Sequence, residues 1–149
     1  MEEIRIPSGS EGFAKDLEEI EQECFHLPMT GEQIRALLGN EHTAWFAVRD
    51  DGRLLGSLWM QTVLDEGYIG NVGVRQDCRR RGIADRLMRM AAEYAAEKQL
   101  SFLTLEVRAG NDAALALYGK HGFLRTGLRP GYYSAPKEDA VIMTRTFGR

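Results

Sequence analysis

Six arginines fall between Arg75 and Arg89, and three of them, Arg79, Arg80 and Arg81, run directly into Gly82, Ile83, Ala84 and Asp85. An amphipathic segment begins at that point. A helix N-terminus has unpaired backbone N–H groups and the positive end of the helix dipole, so a turn of this composition is suited to hold a phosphate. Gly82 and the small Ala84 would let the ligand approach the backbone closely. No Gly-Lys-Ser/Thr follows, and three spaced glycines are missing, which excludes a P-loop and a dinucleotide fingerprint. A charged first turn on a surface helix is the alternative reading of the same residues. Cys24 and Cys78 form neither a disulfide framework nor a metal spacing, and a reduced compartment is the simplest setting for them. Arg79 lies next to Cys78 and would favour its thiolate, while an incidental thiol is the plainer reading of the same residue. His26, His42 and His121 stand apart from one another, and no metal-ligand constellation is visible.

The chain as a whole is acidic. A net charge of −3 and a pI near 5.7 weigh against a general nucleic-acid binder and make the arginine run a local feature. Glu11 to Glu23 holds six acids against Lys15, which reads either as a site for a cationic partner or as a solvated helix face. No apolar run approaches the roughly 20 residues of a membrane span. The N-terminus, "MEEIRIPSGSEGFAKDLEE", lacks an apolar centre, so secretion is not expected and the cytoplasm is. A length of 149 residues fits one unit, 1–149.

The arginine turn needs elements around it. "IRIP" at 4–7 reads as a short strand, and Phe13, Leu17, Ile20 and Cys24 recur at helical spacing. Thr30 and Gln33 form a capping-box pattern ahead of Ile34, Leu37 and Leu38, which starts a second helix after Pro28. "TAWFAVRDDGRLLGSLWMQTVL" predicts two strands turning at Asp51-Gly52, and "YIGNVGV" another. Ile83, Leu87, Met90, Ala91, Tyr94 and Ala95 trace one face of a helix from about Gly82 to Gln99. In "SFLTLEVR", Leu103, Leu105 and Val107 alternate with Thr104, Glu106 and Arg108, which predicts a strand. Asn111 is placed to cap a short helix that Gly122 ends. Strands around "FLRTG" and "EDAVIMTRTF" flank an expected loop, "LRPGYYSAPK". With no repeat or linker, one mixed α/β layer structure covers the chain.

An Arg-x-x-Gly-x-Ala turn between "NVGV" and a long helix resembles the acyl-CoA-binding motif of the GNAT N-acetyltransferases. "IEQECFHLP", "TVLDE", "NVGV", "RRRGIADRLM", "LEVRAGNDAALALYGKHGF" and "GYYSAPKEDAVIM" follow in the order and spacing of the RimI-type ribosomal-protein-alanine N-acetyltransferases, over most of the chain. They are also similar to the catalytic subunits of eukaryotic and archaeal N-terminal acetyltransferases. The resemblance implies a single-domain GNAT acyl-CoA N-acyltransferase fold. That fold is a mixed α/β sheet of about seven strands with about four helices, splayed between strands four and five. It implies acetyl-CoA as cosubstrate and no metal. Backbone of Val72, Gly73 and Val74 would lie beside the pantetheine, with Arg80, Arg81, Gly82, Ile83, Ala84 and Asp85 around the pyrophosphate and Asn111 bonding the cofactor.

The same resemblance makes Glu106 the general base and Tyr118 the acid that protonates the departing thiolate. From the residues alone, Glu106 also fits a solvent-facing strand carboxylate, Tyr118 a core residue, and Asn111 a plain N-cap. The Val74 N–H is a candidate oxyanion donor. Direct transfer needs no acetyl-enzyme, and Cys78 has no neighbouring His to serve one. Met29, Tyr132 and Tyr133 would frame the acceptor, with Asp65 and Glu66 near a basic peptide or simply solvated. Met29 stands where RimI-type sequences commonly carry Trp. The implied function is N-α-acetylation of the N-terminal alanine of a small-subunit ribosomal protein, by a monomer or weak dimer that binds neither nucleic acid nor membrane. Two alternatives remain open: a GNAT enzyme for other protein N-termini or a small amine, and a non-catalytic acyl-CoA-binding regulatory module.

Overall fold

Residues 1–148 are described by a computed structural model. In chain order the elements are β1 (Glu2–Ile6), α1 (Ala14–Cys24), α2 (Gly31–Leu38), β2 (Thr43–Asp50), β3 (Arg53–Val63) and β4 (Glu66–Val74). A 3₁₀ turn (Gln76–Cys78) then leads to α3 (Ile83–Glu97), β5 (Phe102–Arg108), α4 (Asp112–Lys120), β6 (Leu124–Ser134) and β7 (Lys137–Thr146). The strands form one sheet in the order β1-β2-β3-β4-β5-β7-β6. Every pairing is antiparallel except β4 with β5. None of the described helices is long and apolar enough to cross a membrane.

Local signals in the sequence produce these boundaries. Thr30 and Gln33 exchange both bonds of the capping box, 3.2 and 2.9 Å, and so satisfy two donors at the start of α2. Asp51 and Gly52 both adopt positive φ, 51° and 75°, which lets β2 turn straight into β3. Ile83, Leu87, Met88, Ala91 and Ala95 are the buried face of α3, while Met90 and Tyr94 pack on its margin.

Two apolar clusters lie on opposite faces of the sheet. α1 and α2 cover one face through Leu17, Ile20, Ile34 and Leu38; α3 and α4 cover the other. β2 shows why "TAWFAV" reads as a continuous apolar run: Trp45 and Ala47 enter one cluster, Ala44, Phe46 and Val48 the other.

Two expectations are corrected. "LRPGYYSAPK" is not a loop, because β6 runs on through Leu128 and Tyr133 to Ser134. The register shifts between Arg129 and Tyr133, so Pro130 and Gly131 occupy an irregularity on an edge strand, where a missing donor costs no ladder bond. Nor are the acids of α1 an open cationic site. Arg75, 2% exposed, sends Nε to the Leu54 carbonyl (2.6 Å) and Nη1 to Glu23 (3.2 Å). Its Nη2 faces Glu19 and Asp16 as ion pairs at 3.0 and 3.4 Å without hydrogen-bond alignment. A buried guanidinium demands such partners, and three of the five acids of α1 supply them.

Candidate active site

The parallel ladder between β4 and β5 ends at Tyr68 and Thr104. Beyond it the two strands separate, while β4 stays paired with β3 to Val74. The Arg75 N–H bonds the Leu55 carbonyl on β3 (2.9 Å). Strand alternation therefore turns the Val74 and Val72 N–H groups to the opposite edge, toward the gap. The Val74 carbonyl on that edge accepts Arg79 Nε (3.2 Å) and the Cys24 thiol (3.3 Å).

A cavity of about 310 Å³ opens in the gap, walled by Tyr68, Ile69, Gly70 and Asn71 of β4, Thr104, Leu105 and Glu106 of β5, Trp59 and Gln61 of β3, and Tyr132 and Tyr133 of β6. β5 alternation sets its chemistry: Leu103, Leu105 and Val107 are buried, and Thr104, Glu106 and Arg108 occupy the other phase. Glu106 is about one-third exposed, with Arg129 Nε 3.6 Å from its Oε1. Its carboxylate, within hydrogen-bonding reach of the Tyr132 hydroxyl, raises that phenol above its ordinary value. Burial pushes Tyr133 up to about 12. Tyr132 and Tyr133 meet edge to face with ring centroids 5.1 Å apart. Both expected acceptor tyrosines thus share one cavity with Glu106, across sequence separations that only β6 pairing closes.

Tyr118 lies on α4, packed against Phe123 at a centroid distance of 6.2 Å. Burial, with a smaller contribution from Tyr133, holds its hydroxyl protonated up to about 12. It lines neither the cavity just described nor the one below. Asn111 caps α4 by accepting the Ala114 N–H (3.2 Å).

At the far end of β4 a second cavity, about 170 Å³, is walled by Val74, Cys78, Arg79, Arg80, Gly82, Ile83, Ala84 and Asp85. Gly82 is the N-cap of α3 at φ 75°, with no side chain capping the helix. The first intrahelical bond is Arg86 N–H to the Gly82 carbonyl (3.1 Å), so the N–H groups before it remain for an anion. Arg80 also has positive φ, 63°. Arg81 stands outside this wall and faces Asp50 at 3.9 Å. The Asp85 carboxylate is taken by His121 (2.8 Å) and Lys120 (3.1 Å), which hold it below the ordinary carboxylate range and leave its backbone to the turn. Arg79 is occupied with Val74, and burial pushes the Cys78 thiol up, against the thiolate its neighbour suggested.

Met29, expected at the acceptor, does not line the cavity around Glu106 and connects to it through Glu21. This buried carboxylate accepts the Met29 N–H and the Asn71 amide, both at 2.9 Å, and burial raises it. Asp65 accepts the Ser101 hydroxyl and Glu66 the Tyr68 hydroxyl (2.7 Å). Sequence reasoning missed Trp59, Gln61, Tyr68, Asn71 and Thr104. Only Asn71, polar within "YIGNVGV", carried a local signal.

The family model for the acetyltransferase (GNAT) family matches residues 11–123. The [ribosomal protein bS18]-alanine N-acetyltransferase of Escherichia coli (strain K12) is 32% identical over 126 residues, covering 83% of this chain and 84% of that one. The crystal structure of the E. coli ribosomal-protein-S18-alanine N-acetyltransferase superposes with a TM-score of 0.89 at 27% identity, over 99% of this chain and 96% of that one. Arabidopsis thaliana NAA60 in complex with acetyl-CoA shares the fold, with a TM-score of 0.85 at 21% identity, over 98% and 100%. The chain belongs to the GNAT acetyltransferase family.

Proposed function

We propose that this GNAT acetyltransferase moves an acetyl group from acetyl-CoA to the α-amine of a protein N-terminus, the N-terminal alanine of a small-subunit ribosomal protein. The observation that carries the reading is the continuity of β4. One end of the strand meets a cavity holding a carboxylate and two phenols, and the other meets an unpaired helix N-terminus with Arg79 and Arg80. The unpaired edge of β4 between them fits an extended amide chain. The turn fits its diphosphate, through the α3 N–H groups and the arginines.

When bound, acetyl-CoA supplies an activated acetyl group as a thioester. Glu106 accepts the proton of the attacking amine, directly or through water. An α-amine with a pKa near about 8 is already about one-tenth neutral at pH 7, whereas a lysine amine near about 10.4 is neutral to a few parts in ten thousand, so an N-terminal acceptor asks less of this base. The Val74 N–H, turned to the gap, donates to the acetyl oxygen as charge builds on it. Tyr118, protonated across the neutral range, gives a proton to the leaving sulfur and is restored from solvent. Tyr132 and Tyr133 wall the acceptor, and Glu21 ties Met29 to the wall residue Asn71.

Incubation with acetyl-CoA and a panel of peptides that begin with alanine or other residues, together with small amines, tests the proposal. Free thiol and product mass are followed. Transfer to alanine N-termini supports it; transfer to small amines alone, or acetyl-CoA binding without transfer, refutes it.

A further inference from the structure

Arg108 ends the strand that carries Glu106, yet its side chain faces the opposite hairpin. Nη1 donates to the Pro136 carbonyl (2.8 Å) and Nη2 to the Ala135 carbonyl (3.2 Å), both in the turn between β6 and β7. The face of the same guanidinium covers the Tyr133 ring, Cζ lying 4.3 Å from its centroid. Nη1 also meets Glu138 Oε1 at 3.2 Å, and the other oxygen of that carboxylate accepts the Gly110 N–H at 2.6 Å. Gly110 adjoins Asn111, the cap of α4, and α4 carries Tyr118. A Cβ at this position would lie 2.7 Å from Glu138 Oε2, so any larger residue makes that carboxylate shift away from the Gly110 N–H.

We infer that Arg108 is a positioning residue that, with Glu138, fastens the acceptor wall to the start of α4, so that Tyr133 and Tyr118 are placed by one charged pair. The physical reason lies in the guanidinium. Its planar edge serves two carbonyls and a carboxylate while its face stacks on a phenol, and a lysine ammonium cannot do both. Arg108 and Glu138 are 21% and 27% exposed, so water screens the pair less than it would a surface one. Neither side chain lines the acceptor cavity or the arginine turn, and the pair acts through the groups it holds. The inference rests on the acceptor reading above.

The test compares Arg108→Lys, Gly110→Ala and the double variant in the full chain. It uses an alanine-initiated peptide, calorimetry with acetyl-CoA, and the amide proton resonance of Gly110. Either single change should raise the peptide KM about tenfold and leave the acetyl-CoA Kd within about twofold. The double variant should lose no more than the worse single one, because both break the same connection. The Gly110 amide, which donates to the Glu138 carboxylate, should shift in Arg108→Lys toward its position in a chain carrying Glu138→Gln. Losses that multiply, an unmoved Gly110 amide, or an unchanged peptide KM would overturn the role of Arg108. An unsubstituted chain that acetylates no peptide overturns the acceptor reading and this role with it. A chain that acetylates peptides but ignores the Arg108 change overturns this role alone.

Discussion

The arginine turn and the cavity around Glu106 occupy opposite ends of β4 and are built in different ways. The turn comes from one short segment, Arg79 to Asp85 together with Val74 and Cys78, and its chemistry is mostly backbone: free N–H groups, two positive φ values and a helix dipole. The cavity takes its walls from four strands, and its chemistry is mostly side chain. A site made of backbone tolerates changes in side chains but not in conformation. A site made of converging side chains has the opposite sensitivity.

That contrast ranks the expected effects. Glu106→Gln should be the most damaging, lowering turnover on a peptide by about a hundredfold or more at neutral pH, because no other wall residue offers a carboxylate to the amine. Calorimetry should find acetyl-CoA affinity unchanged, and a wild-type rate would remove Glu106 as the base. Gly82→Val should weaken acetyl-CoA binding about tenfold or more while the peptide KM holds, since a branched residue resists φ 75°. Full affinity in that variant would move the cofactor site elsewhere and erase the contrast.

Tyr118→Phe should lower kcat by about threefold to tenfold, less than a typical acid because a thiolate leaves readily. Burial raises this phenol, so the neutral form that donates a proton persists through the ordinary tyrosine value of about 10 and is lost only as pH approaches about 12. A rate profile that falls at the ordinary value would assign the acid to another group. Arg81→Ala should change acetyl-CoA affinity by less than about twofold, because the Arg81 side chain faces Asp50 across an exposed 3.9 Å pair and does not wall the cavity. A loss as large as that of Gly82→Val would give the Arg81 side chain a part in the cofactor site and show that charge outweighs backbone there.

The same contrast explains what was legible in the sequence. The capping box at Thr30, the Asp51-Gly52 turn, the alternation of β5 and the Asn111 cap all read correctly, because each rests on partners a few residues away. The continuation of β6 past Leu128 did not, because Pro130 and Gly131 signal a turn unless an edge strand has room for an irregularity. The acidic helix α1 looked like an open surface, and Arg75 looked like one more member of a basic run. Nothing local says that they neutralise each other. For Cys78 the sequence left a thiolate beside Arg79 as the lesser reading, and burial of the thiol decides for the incidental one.

By itself the sequence determined most of the strands and helices, their caps, the hairpin turn at Asp51-Gly52 and the order of motifs that marks a GNAT acetyltransferase, since propensity, capping and glycine conformation act over a single turn. Tertiary structure alone decided that Glu106 shares a cavity with Tyr132 and Tyr133, that Arg75 meets three acids of α1, and that Arg108 reaches the turn between β6 and β7. These partners lie tens of residues apart, 52 between Arg75 and Glu23 and 28 between Arg108 and Pro136. Contact over such distances is fixed by strand register and by the separation of β4 from β5, which no short stretch of residues encodes.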